Sequence, residues 1–323
     1  MKCINRQFGK LCCIVGLVLF LTACKNEEDI VASYEMENYS TNLYKESLYS
    51  ENICVSSQDV AIEGFTNDSE LYASALFDLN NINVAYANNI HDKIFPASTT
   101  KILTALIALE ECSIDEIVTI SKSAAASSFA FDEQVCGLKE GDQISIEALL
   151  YGLLLHSGND NAVAIAEYVG GSVEKFAELM NKKAAELFAT NTNFVTPNGL
   201  HNENHYTTAY DLYLIFNECI KHDDFVKMIS SNQYTADITD INGTLRQVTW
   251  ESTSFYARGL ANKPTGATVI GGKTGYTGEA GNCLILLNVD ETGNRYVSIV
   301  MGAKDKPVLY DDMTAILDQI PNL

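Results

Sequence analysis

Hydrophobic and polar residues along the chain follow two periods, one typical of strands and one typical of helices. The runs from Leu71 to Leu79 and from Ile82 to Ala87 are rich in β-forming residues and flank Asn80-Asn81, which predicts a β-hairpin. The stretch from Ser98 to Glu111 is apolar nearly all round, so it predicts a buried central helix. Further helices are predicted over Ile146 to Leu155, Asp160 to Tyr168, Ser172 to Phe188, Ala209 to Ile220 and Tyr310 to Ile320.

Strand patterns return near the end of the chain. The predicted strands are Thr268 to Thr274, Asn282 to Val289 and Arg295 to Gly302, and a turn over Asp290 to Asn294 joins the last two. Strands at both ends of a chain with helices between them are typical of the α+β class. We therefore predict one antiparallel sheet formed from both chain ends, with helices packed on it and an all-helical subregion.

The first residues have the pattern of a targeting segment. Basic residues precede an apolar run from Leu11 to Ala23, about 13 residues long, which is too short to span a bilayer but fits a secretory signal. The run ends in Leu-Thr-Ala before Cys24 and resembles the lipobox of bacterial lipoproteins, in which the cysteine is lipidated and becomes the new N-terminus. We predict a lipoprotein signal peptide over residues 1–23. An uncleaved anchor or a chance cysteine is the alternative.

The segment after Cys24 is polar and acidic up to about Asp68 and has no sustained period. Residues 24–68 are therefore predicted to be a lipidated cysteine and a flexible tether, followed by a folded domain over residues 69–323. The cysteines that remain after the lipidation site are odd in number and irregularly spaced, which suggests neither a disulfide framework nor a zinc site. They are Cys54, Cys112, Cys136, Cys219 and Cys283.

Composition and charge narrow the class of protein. Of the 323 residues, 47% are hydrophobic and 20% are charged, which is ordinary globular composition and excludes wholesale disorder. Asp and Glu total 42 against 21 Lys and Arg, a formal charge of -21, so no basic surface is large enough to bind a phosphate backbone. We expect no nucleic-acid partner.

The first candidate for chemistry is Ser98-Thr99-Thr100-Lys101, at the start of the predicted central helix. Residues at i and i+3 share one face of a helix, so the Lys101 amine can reach the Ser98 hydroxyl. Serine is a weak nucleophile at neutral pH, and a lysine can accept its proton if burial and a neighbouring cation lower the lysine pKa. The tetrapeptide alone is weak evidence, because Ser172 and Lys175 have the same spacing and are better explained as a helix cap and a surface lysine.

Two further motifs follow along the chain, and their order is informative. Ser157-Gly158-Asn159 falls between two predicted helices, and Lys273-Thr274-Gly275 falls at the end of a predicted strand. Similar S-x-N triplets occur elsewhere in the chain, but the order S-x-x-K, S-x-N, K-T-G is that of serine penicillin-recognising enzymes. The set predicts a catalytic site formed by Ser98, Lys101, Ser157, Asn159 and Lys273.

Longer stretches around these motifs resemble the D-alanyl-D-alanine carboxypeptidases of low molecular mass, penicillin-binding proteins that trim peptidoglycan stem peptides. The stretches are Phe95 to Lys101, Tyr151 to Asp160, Phe194 to Leu200 and Gly271 to Thr277, and the similarity extends from about Leu71 to Gly302. The resemblance implies the fold shared by β-lactamases and penicillin-binding proteins, and a serine peptidase of the S11 type. It also implies that β-lactam antibiotics are covalent inhibitors and that no metal or organic cofactor is used.

The resemblance implies a role for each motif residue. Ser98 attacks the carbonyl of the penultimate D-alanine, releases the last D-alanine and forms an acyl-enzyme that water hydrolyses. Lys101 is the general base for this attack. Ser157 bridges Lys101 and Lys273 and relays a proton to the leaving amine, and Asn159 holds Lys101 or the substrate amide.

The same resemblance implies the contacts to the substrate. The backbone N–H groups of Ser98 and Tyr276 form the oxyanion hole, and Thr274 binds the terminal carboxylate. The predicted substrate-binding residues are Thr274, Gly275, Thr277 and Arg258. Arg258 is included because some relatives have an arginine ahead of the K-T-G strand, and a surface arginine is the alternative.

Membrane attachment is expected to differ from that of several relatives, which carry a C-terminal β-rich domain and an amphipathic membrane helix. Here the chain stops at Leu323, directly after the predicted catalytic domain. We therefore expect no C-terminal β domain, and a membrane anchor provided by the lipid on Cys24. The protein would then act outside the cytoplasm, with peptidoglycan stem peptides as its substrates.

Three other functions stay open at this point. A D,D-endopeptidase uses the same acyl-enzyme and differs only in the room beyond the scissile bond. A class A β-lactamase shares the motif order but needs a glutamate, typically within E-x-x-L-N, and the stretch from Thr192 to Asn204 contains Glu203 without that motif. A non-catalytic lipoprotein that binds β-lactams or muropeptides would normally have lost one of the motif residues.

Overall fold

The computed structural model describes residues 52–66 and 70–323, so the predicted signal peptide, Cys24 and most of the predicted tether lie outside the described residues. The strands are β1 (Ala73–Asp78), β2 (Asn83–Asn88), β3 (Ile117–Thr119), β4 (Gln143–Ser145), β5 (Gln233–Thr239), β6 (Leu245–Glu251), β7 (Thr268–Thr277), β8 (Gly281–Val289) and β9 (Arg295–Ala303). The α-helices are α1 (Lys101–Glu111), α2 (Ile146–Tyr151), α3 (Asn159–Gly170), α4 (Val173–Glu186), α5 (Ala209–Cys219), α6 (Asp223–Ile229) and α7 (Lys306–Leu317).

A five-stranded antiparallel sheet, in the order β2-β1-β9-β8-β7, contains strands from both ends of the folded chain. β1 pairs with its hairpin partner β2 and with the late strand β9. In the hairpin turn, Asp78 Oδ1 accepts hydrogen bonds from the backbone N–H groups of Asn80 and Asn81, each at 3.0 Å. The predicted hairpin and the predicted α+β architecture are both confirmed.

Both faces of this sheet are covered by helices. Successive strand residues point to opposite faces, so the neighbours Ile285 and Leu286 in β8 belong to two different cores. Leu286 shares one core with Met313 of α7, and Ile285 shares the other with Leu106 of α1. Burial on both faces explains why β8 and β9 read as continuous apolar runs in the sequence.

The central helix α1 is buried along most of its length, as its apolar pattern predicts. Every residue from Lys101 to Ala108 is buried. The helix begins later than predicted, because Ala97–Thr100 form a 3-10 turn ahead of it. The last helix instead begins earlier than predicted, at Lys306, because Asp305 caps it by accepting the Val308 N–H.

Other helix ends follow the local sequence. Ser172 Oγ accepts the Lys175 N–H at 3.2 Å, which confirms that this second S-x-x-K match is a helix cap. Among residues 52–66 and 70–323, no helix combines the length and the apolar character needed to cross a membrane.

A second antiparallel sheet, in the order β3-β4-β5-β6, is missing from the sequence prediction. β3 and β4 are only three residues each, and β5 and β6 have few buried residues, so neither pair has a strong apolar pattern. Trp250 of β6 is buried and donates its indole N–H to the Cys136 carbonyl at 3.1 Å. This bond fixes the sheet to a loop that borders the candidate site.

Residues 52–66 pack against the domain, which differs from the predicted tether up to residue 68. Ile53 and Cys54 are buried, and Val60 forms an antiparallel bridge with Ala87. The Cys54 N–H donates to the Tyr213 hydroxyl at 2.9 Å. Isolated apolar residues without a period carry no element signal, so the sequence could not separate this segment from a flexible one. Asn52–Leu323 form one compact unit.

Candidate active site

The Ser98 hydroxyl is presented by the 3-10 turn Ala97–Thr100, directly before α1. Thr99 holds the turn, because its backbone N–H and its Oγ1 both donate to the Pro96 carbonyl, at 3.2 and 2.6 Å. Ala97 has a left-handed backbone, with φ of 48°, which is unusual for a residue with a Cβ atom. Such strain persists only where the surrounding structure holds it, and it clusters at functional sites.

The Lys101 amine lies between three oxygen atoms. Its Nζ is 2.9 Å from Ser98 Oγ, 2.8 Å from Asn159 Oδ1 and 2.7 Å from the Asn198 carbonyl oxygen. A neutral amine has two N–H donors and one lone pair, so it can donate to the amide and carbonyl oxygens and accept the Ser98 proton. This is the geometry that a general base for Ser98 requires.

Ser157 and Lys273 form a second serine–lysine pair in the site. Lys273 Nζ donates to Ser157 Oγ at 2.9 Å and to the Thr274 carbonyl at 2.8 Å. The predicted helix up to Leu155 ends instead at Tyr151 and continues as a π turn over Gly152–His156. Ser157 then has a left-handed backbone, with φ of 65°, which turns its side chain toward Lys273.

Burial lowers the pKa of both lysines. The exposed fractions of Lys101 and Lys273 are 0% and 1%. Desolvation lowers the pKa of Lys101 well below its usual value, and the nearby charge of Lys273 lowers it further. Burial lowers the pKa of Lys273 to about 7. The neutral amine that the geometry around Ser98 calls for is therefore accessible near neutral pH.

Asp160, directly after the S-x-N motif, ties the site to a neighbouring loop. Its buried carboxylate accepts hydrogen bonds from the backbone N–H groups of residues 136–138, at 2.8 to 3.1 Å. In the same loop, the Gln134 carbonyl accepts the Asn159 N–H at 2.8 Å. Burial raises the pKa of Asp160, and the backbone donors act in the opposite direction. Sequence reasoning missed this residue, although its place beside the motif was an available signal.

The edge strand β7 forms the opposite wall of the site. A Cβ atom on Gly275 would lie 3.1 Å from the Pro96 carbonyl and from the Ser98 backbone nitrogen. Glycine therefore lets the strand approach the nucleophile closely. Tyr276 follows on the same strand with its side chain 64% exposed. The structure thus brings the backbone of β7 beside Ser98, where the predicted oxyanion hole would form.

Two threonine hydroxyls meet next to this wall. Thr253 Oγ1 and Thr274 Oγ1 are 2.6 Å apart, and both residues line the same cleft as Ser98. Thr277 also lines the cleft, and its Oγ1 accepts the Ala280 N–H at 3.1 Å. Thr253 belongs to no motif, so the sequence contained no signal for it.

The cleft has a volume of about 630 Å³ and brings most of the predicted residues together. The predicted residues that line it are Ser98, Ser157, Asn159, Thr274, Gly275, Tyr276 and Thr277. Arg258 is exposed and is not among the lining residues. Burial raises the pKa of the cleft residue Tyr310, and Arg258 lies close enough for its charge to oppose that shift. Arg258 is therefore beside the cleft rather than in it.

His205 supports the nucleophile from the buried side. Its Nδ1 accepts the Val195 N–H at 3.0 Å, so its Nε2 carries the proton and donates to Thr100 Oγ1 at 2.8 Å. Burial lowers the pKa of His205 to about 4, which keeps the ring neutral. The residue therefore orients the 3-10 turn through Thr100.

Within the part of the chain that the structure describes, no group of three or more His, Cys, Asp or Glu residues is arranged to hold a metal ion. The five described cysteines are not in disulfides. A serine hydroxyl bonded to a buried lysine, with a second buried lysine on a neighbouring serine and a strand edge alongside, defines a site for acyl transfer through a serine.

The chain belongs to the Peptidase S11 family, D-alanyl-D-alanine carboxypeptidase, whose family model matches residues 65–305. Among curated relatives, it is 32% identical over 255 residues to the D-alanyl-D-alanine carboxypeptidase DacF of Bacillus subtilis, covering 77% of this chain and 61% of that protein. It is 33% identical to DacA of Haemophilus influenzae, covering 70% of this chain and 56% of that protein. The chain thus spans less than two thirds of the length of these relatives.

Solved structures show the same architecture. The crystal structure of the Streptomyces K15 DD-transpeptidase aligns with a TM-score of 0.74 and 28% identity, covering 80% of this chain and all of that one. Penicillin-binding protein 5 from Haemophilus influenzae aligns with a TM-score of 0.69 and 28% identity, covering 79% of this chain and 71% of that one. These likenesses confirm the predicted penicillin-binding-protein fold.

Proposed function

We propose that this protein is a serine-type D-alanyl-D-alanine carboxypeptidase that removes the terminal D-alanine of peptidoglycan stem pentapeptides through an acyl-enzyme on Ser98. The observation that carries the proposal is the 2.9 Å contact between Lys101 Nζ and Ser98 Oγ, in a cleft that the Ser157–Lys273 pair also borders. Membership in the family and the relatives named D-alanyl-D-alanine carboxypeptidase support the same substrate class.

In acylation, neutral Lys101 takes the proton from the Ser98 hydroxyl as its oxygen attacks the carbonyl carbon of the penultimate D-alanine. The carbonyl oxygen becomes an oxyanion, and the backbone N–H groups of Ser98 and Tyr276 stabilise it. The hydrogen bonds from Lys101 to Asn159 and Asn198 orient the amine, so that its lone pair faces Ser98.

Collapse of the tetrahedral intermediate breaks the peptide bond and needs a proton on the leaving amine. Ser157 donates its hydroxyl proton to that amine and recovers one from Lys273, which is bonded to it at 2.9 Å. The released D-alanine leaves, and the proton that Lys101 took from Ser98 passes through Ser157 to Lys273. Lys101 is then neutral again and acts as the base when water attacks the Ser98 ester. The step needs no metal or organic cofactor.

The location follows from the substrate. Low-molecular-mass penicillin-binding proteins work outside the cytoplasmic membrane, and peptidoglycan stem peptides lie there. The lipobox-like sequence at Cys24 supports a lipid anchor to the membrane. The same acyl-enzyme chemistry makes β-lactam antibiotics covalent inhibitors at Ser98.

A class A β-lactamase would need a glutamate beside the nucleophile to activate the deacylating water. Glu203 is exposed and is not among the residues that line the cleft. Glu133 does line the cleft, but it is not in an E-x-x-L-N motif and its carboxylate accepts the Ala130 N–H at 2.9 Å. Rapid turnover of penicillin is therefore not part of the proposal.

The test is release of D-alanine from a peptide that ends in Lys-D-Ala-D-Ala. Ser98→Ala should abolish release, because the nucleophile is lost. Ser172→Ala is the matched control, because Ser172 is the first residue of the other S-x-x-K match and caps α4. It should keep kcat unchanged. No release by the folded wild type, or equal release by Ser98→Ala, would contradict the proposal.

A further inference from the structure

Two side chains beside Ser157 form a hydrogen bond that takes no part in the proposed proton transfers. Gln134 lines the cleft, and His156 directly precedes Ser157 in the chain. Gln134 Nε2 lies 2.8 Å from His156 Nε2. An amide nitrogen can only donate, so the imidazole accepts this bond with its Nε2 lone pair and carries its proton on Nδ1. We call this contact the Gln134–His156 pair.

Gln134 holds the Ser157 turn at both ends. Its side chain bonds to His156 on one side of Ser157, and its backbone carbonyl accepts the Asn159 N–H at 2.8 Å on the other side. Only Ser157 and Gly158 lie between these two points of attachment. The backbone angles of both residues are therefore restrained by a single residue of the neighbouring loop.

The backbone of Ser157 needs such a restraint. Its φ of 65° is left-handed, a conformation that residues with a Cβ atom rarely adopt. Unfavourable angles of this kind persist where surrounding contacts hold them. In this conformation Ser157 Oγ lies 2.9 Å from Lys273 Nζ. A turn that relaxed would move the hydroxyl away from Lys273 and from the substrate bond that is broken.

We propose that the Gln134–His156 pair positions Ser157 for protonation of the leaving amine. Both members are positioning residues, because they act through Ser157. The inference rests on the proposed function, in which Ser157 gives its proton to the D-alanine nitrogen. Gln134 is exposed and His156 is partly exposed, so loss of the bond leaves no buried polar group unsatisfied and should not unfold the protein.

The chemistry of the leaving group separates this role from a general one. When the carbon–nitrogen bond of an amide breaks, the nitrogen keeps the electron pair and must gain a proton, which Ser157 supplies. In a thioester the carbon–sulfur bond breaks instead, and the sulfur leaves with the electron pair as a thiolate, which needs no proton because thiols are far more acidic than amines. A displaced Ser157 should therefore slow cleavage of the amide and spare that of the thioester.

The experiment measures kcat/KM, which reports acylation, of the full chain for diacetyl-Lys-D-Ala-D-Ala and for the thioester in which sulfur replaces the nitrogen of the last residue. The variants are Gln134→Ala, His156→Ala, the double variant and His156→Gln. Gln247→Ala is the matched control, because Gln247 is an exposed glutamine whose Nε2 donates to the Asp237 carboxylate at 2.8 Å and which does not line the cleft. Circular dichroism and thermal unfolding are measured for each variant.

Each alanine variant should lower kcat/KM for the amide by roughly 3- to 10-fold, the worth of one hydrogen bond. The double variant should lose no more than either single variant, because both substitutions remove the same bond. His156→Gln should keep most of the rate, because its side-chain oxygen can accept the bond from Gln134. The thioester rate of every variant, and both rates of Gln247→Ala, should match the wild type.

Additive losses in the double variant, equal losses on the amide and the thioester, or an unchanged amide rate in Gln134→Ala would overturn the inference and leave the proposed function intact. A lower unfolding temperature for the pair variants than for Gln247→Ala would show that the pair supports the fold, and would overturn the inference as well. No release of D-alanine by the wild type would overturn both the inference and the proposed function.

Discussion

The position of a single proton decides whether Ser98 can react. Lys101 shares its hydrogen-bonding capacity among Ser98, Asn159 and the Asn198 carbonyl, and only the uncharged amine has a lone pair for the serine proton. Burial is the main cause of the lowered Lys101 pKa, and the charge of Lys273 is the next. The charge of Lys273 therefore acts on Lys101, although each lysine bonds to a different serine.

This coupling predicts a shift in the pH profile of Lys273→Met. Removing a positive charge makes protonation of Lys101 easier, so the Lys101 pKa rises and less neutral base is present at a given pH. The acidic limb of the rate of penicillin acylation should move to higher pH by about one unit, besides any loss of maximum rate. The measurement is the acylation rate constant from pH 4 to 10.

Lys304→Met provides the comparison, because Lys304 is exposed and outside the cleft lining. Its acidic limb should coincide with that of the wild type. An acidic limb of Lys273→Met that stays in place, or that moves to lower pH, would show that Lys273 does not depress the Lys101 pKa.

Among the elements of the fold, the 3-10 turn before α1 depends on a neighbouring glycine. Gly199 has φ of 81°, and a Cβ atom there would lie 1.8 Å from the Ala97 carbonyl oxygen. The residue before it provides the Asn198 carbonyl that accepts a hydrogen bond from Lys101. The segment and the turn are therefore packed backbone against backbone.

Gly199→Ala should thus be costly for two reasons, a left-handed backbone and a steric clash. Gly293→Ala is the control for the backbone effect alone. Gly293 also has a left-handed backbone, with φ of 92°, but it has open space around it, so a Cβ atom there causes no clash. We expect Gly199→Ala to lower the free energy of unfolding by at least about 2 kcal/mol more than Gly293→Ala. Urea unfolding of both variants tests this, and equal losses would mean that the close approach is unimportant.

The link between α3 and the loop at residues 136–138 depends on the Asp160 carboxylate. In the wild type, the backbone N–H groups of residues 136–138 donate to the Asp160 carboxylate oxygens. In Asp160→Asn, one of these oxygens is replaced by an amide NH₂ group, which cannot accept those hydrogen bonds. We expect a loss of about 1 to 3 kcal/mol in the free energy of unfolding and slower acylation, because Asn159 shifts with the loop.

Asp237→Asn is the control for this substitution, because Asp237 is exposed on β5, where its carboxylate accepts a hydrogen bond from the Gln247 side chain at 2.8 Å. Its acylation rate should equal that of the wild type. If Asp160→Asn unfolds at the same urea concentration as Asp237→Asn and acylates as fast, the loop does not depend on the carboxylate.

At the scale of the whole molecule, residues 52–66 belong to the folded unit. Ile53 and Cys54 are buried against the domain, and Tyr213 and Ala87 bond to the segment. A chain that begins at Asn52 should keep full stability, whereas one that begins at Glu70 should lose about 3 to 5 kcal/mol. Both should release D-alanine when folded, because the segment does not line the cleft. Equal unfolding midpoints would contradict this packing.

The sequence predicted the parts of the fold with long, regular patterns. The hairpin of β1 and β2, the strands β7 to β9 and the buried helix α1 each had a continuous apolar signal. The sheet of β3 to β6 had none, because two of its strands have three residues each and the others have few buried residues. The segment at residues 52–66 is held by single contacts, which leave no period.

In the candidate site, too, some residues lie in recognisable sequence motifs and others do not. Ser98, Lys101, Ser157, Asn159 and Lys273 lie in short motifs, and the structure places them around one cleft. Thr253 contributes through a contact between distant segments, so no local pattern marks it. Asp160 directly follows the S-x-N motif, which was a signal that the sequence prediction did not use. Arg258 was placed by resemblance alone, and the structure leaves it beside the cleft.

The acyl-enzyme on Ser98 can be tested by locating the covalent intermediate in the chain. The full-length protein is incubated with penicillin, digested with trypsin and analysed by mass spectrometry. Cleavage after Lys93 and Lys101 isolates residues 94–101, in which Ser98 is the only serine. We expect one penicilloyl adduct on this peptide, assigned to Ser98 and absent from Ser98→Ala. An adduct on another residue such as Ser157, or a folded protein that forms none, would contradict it.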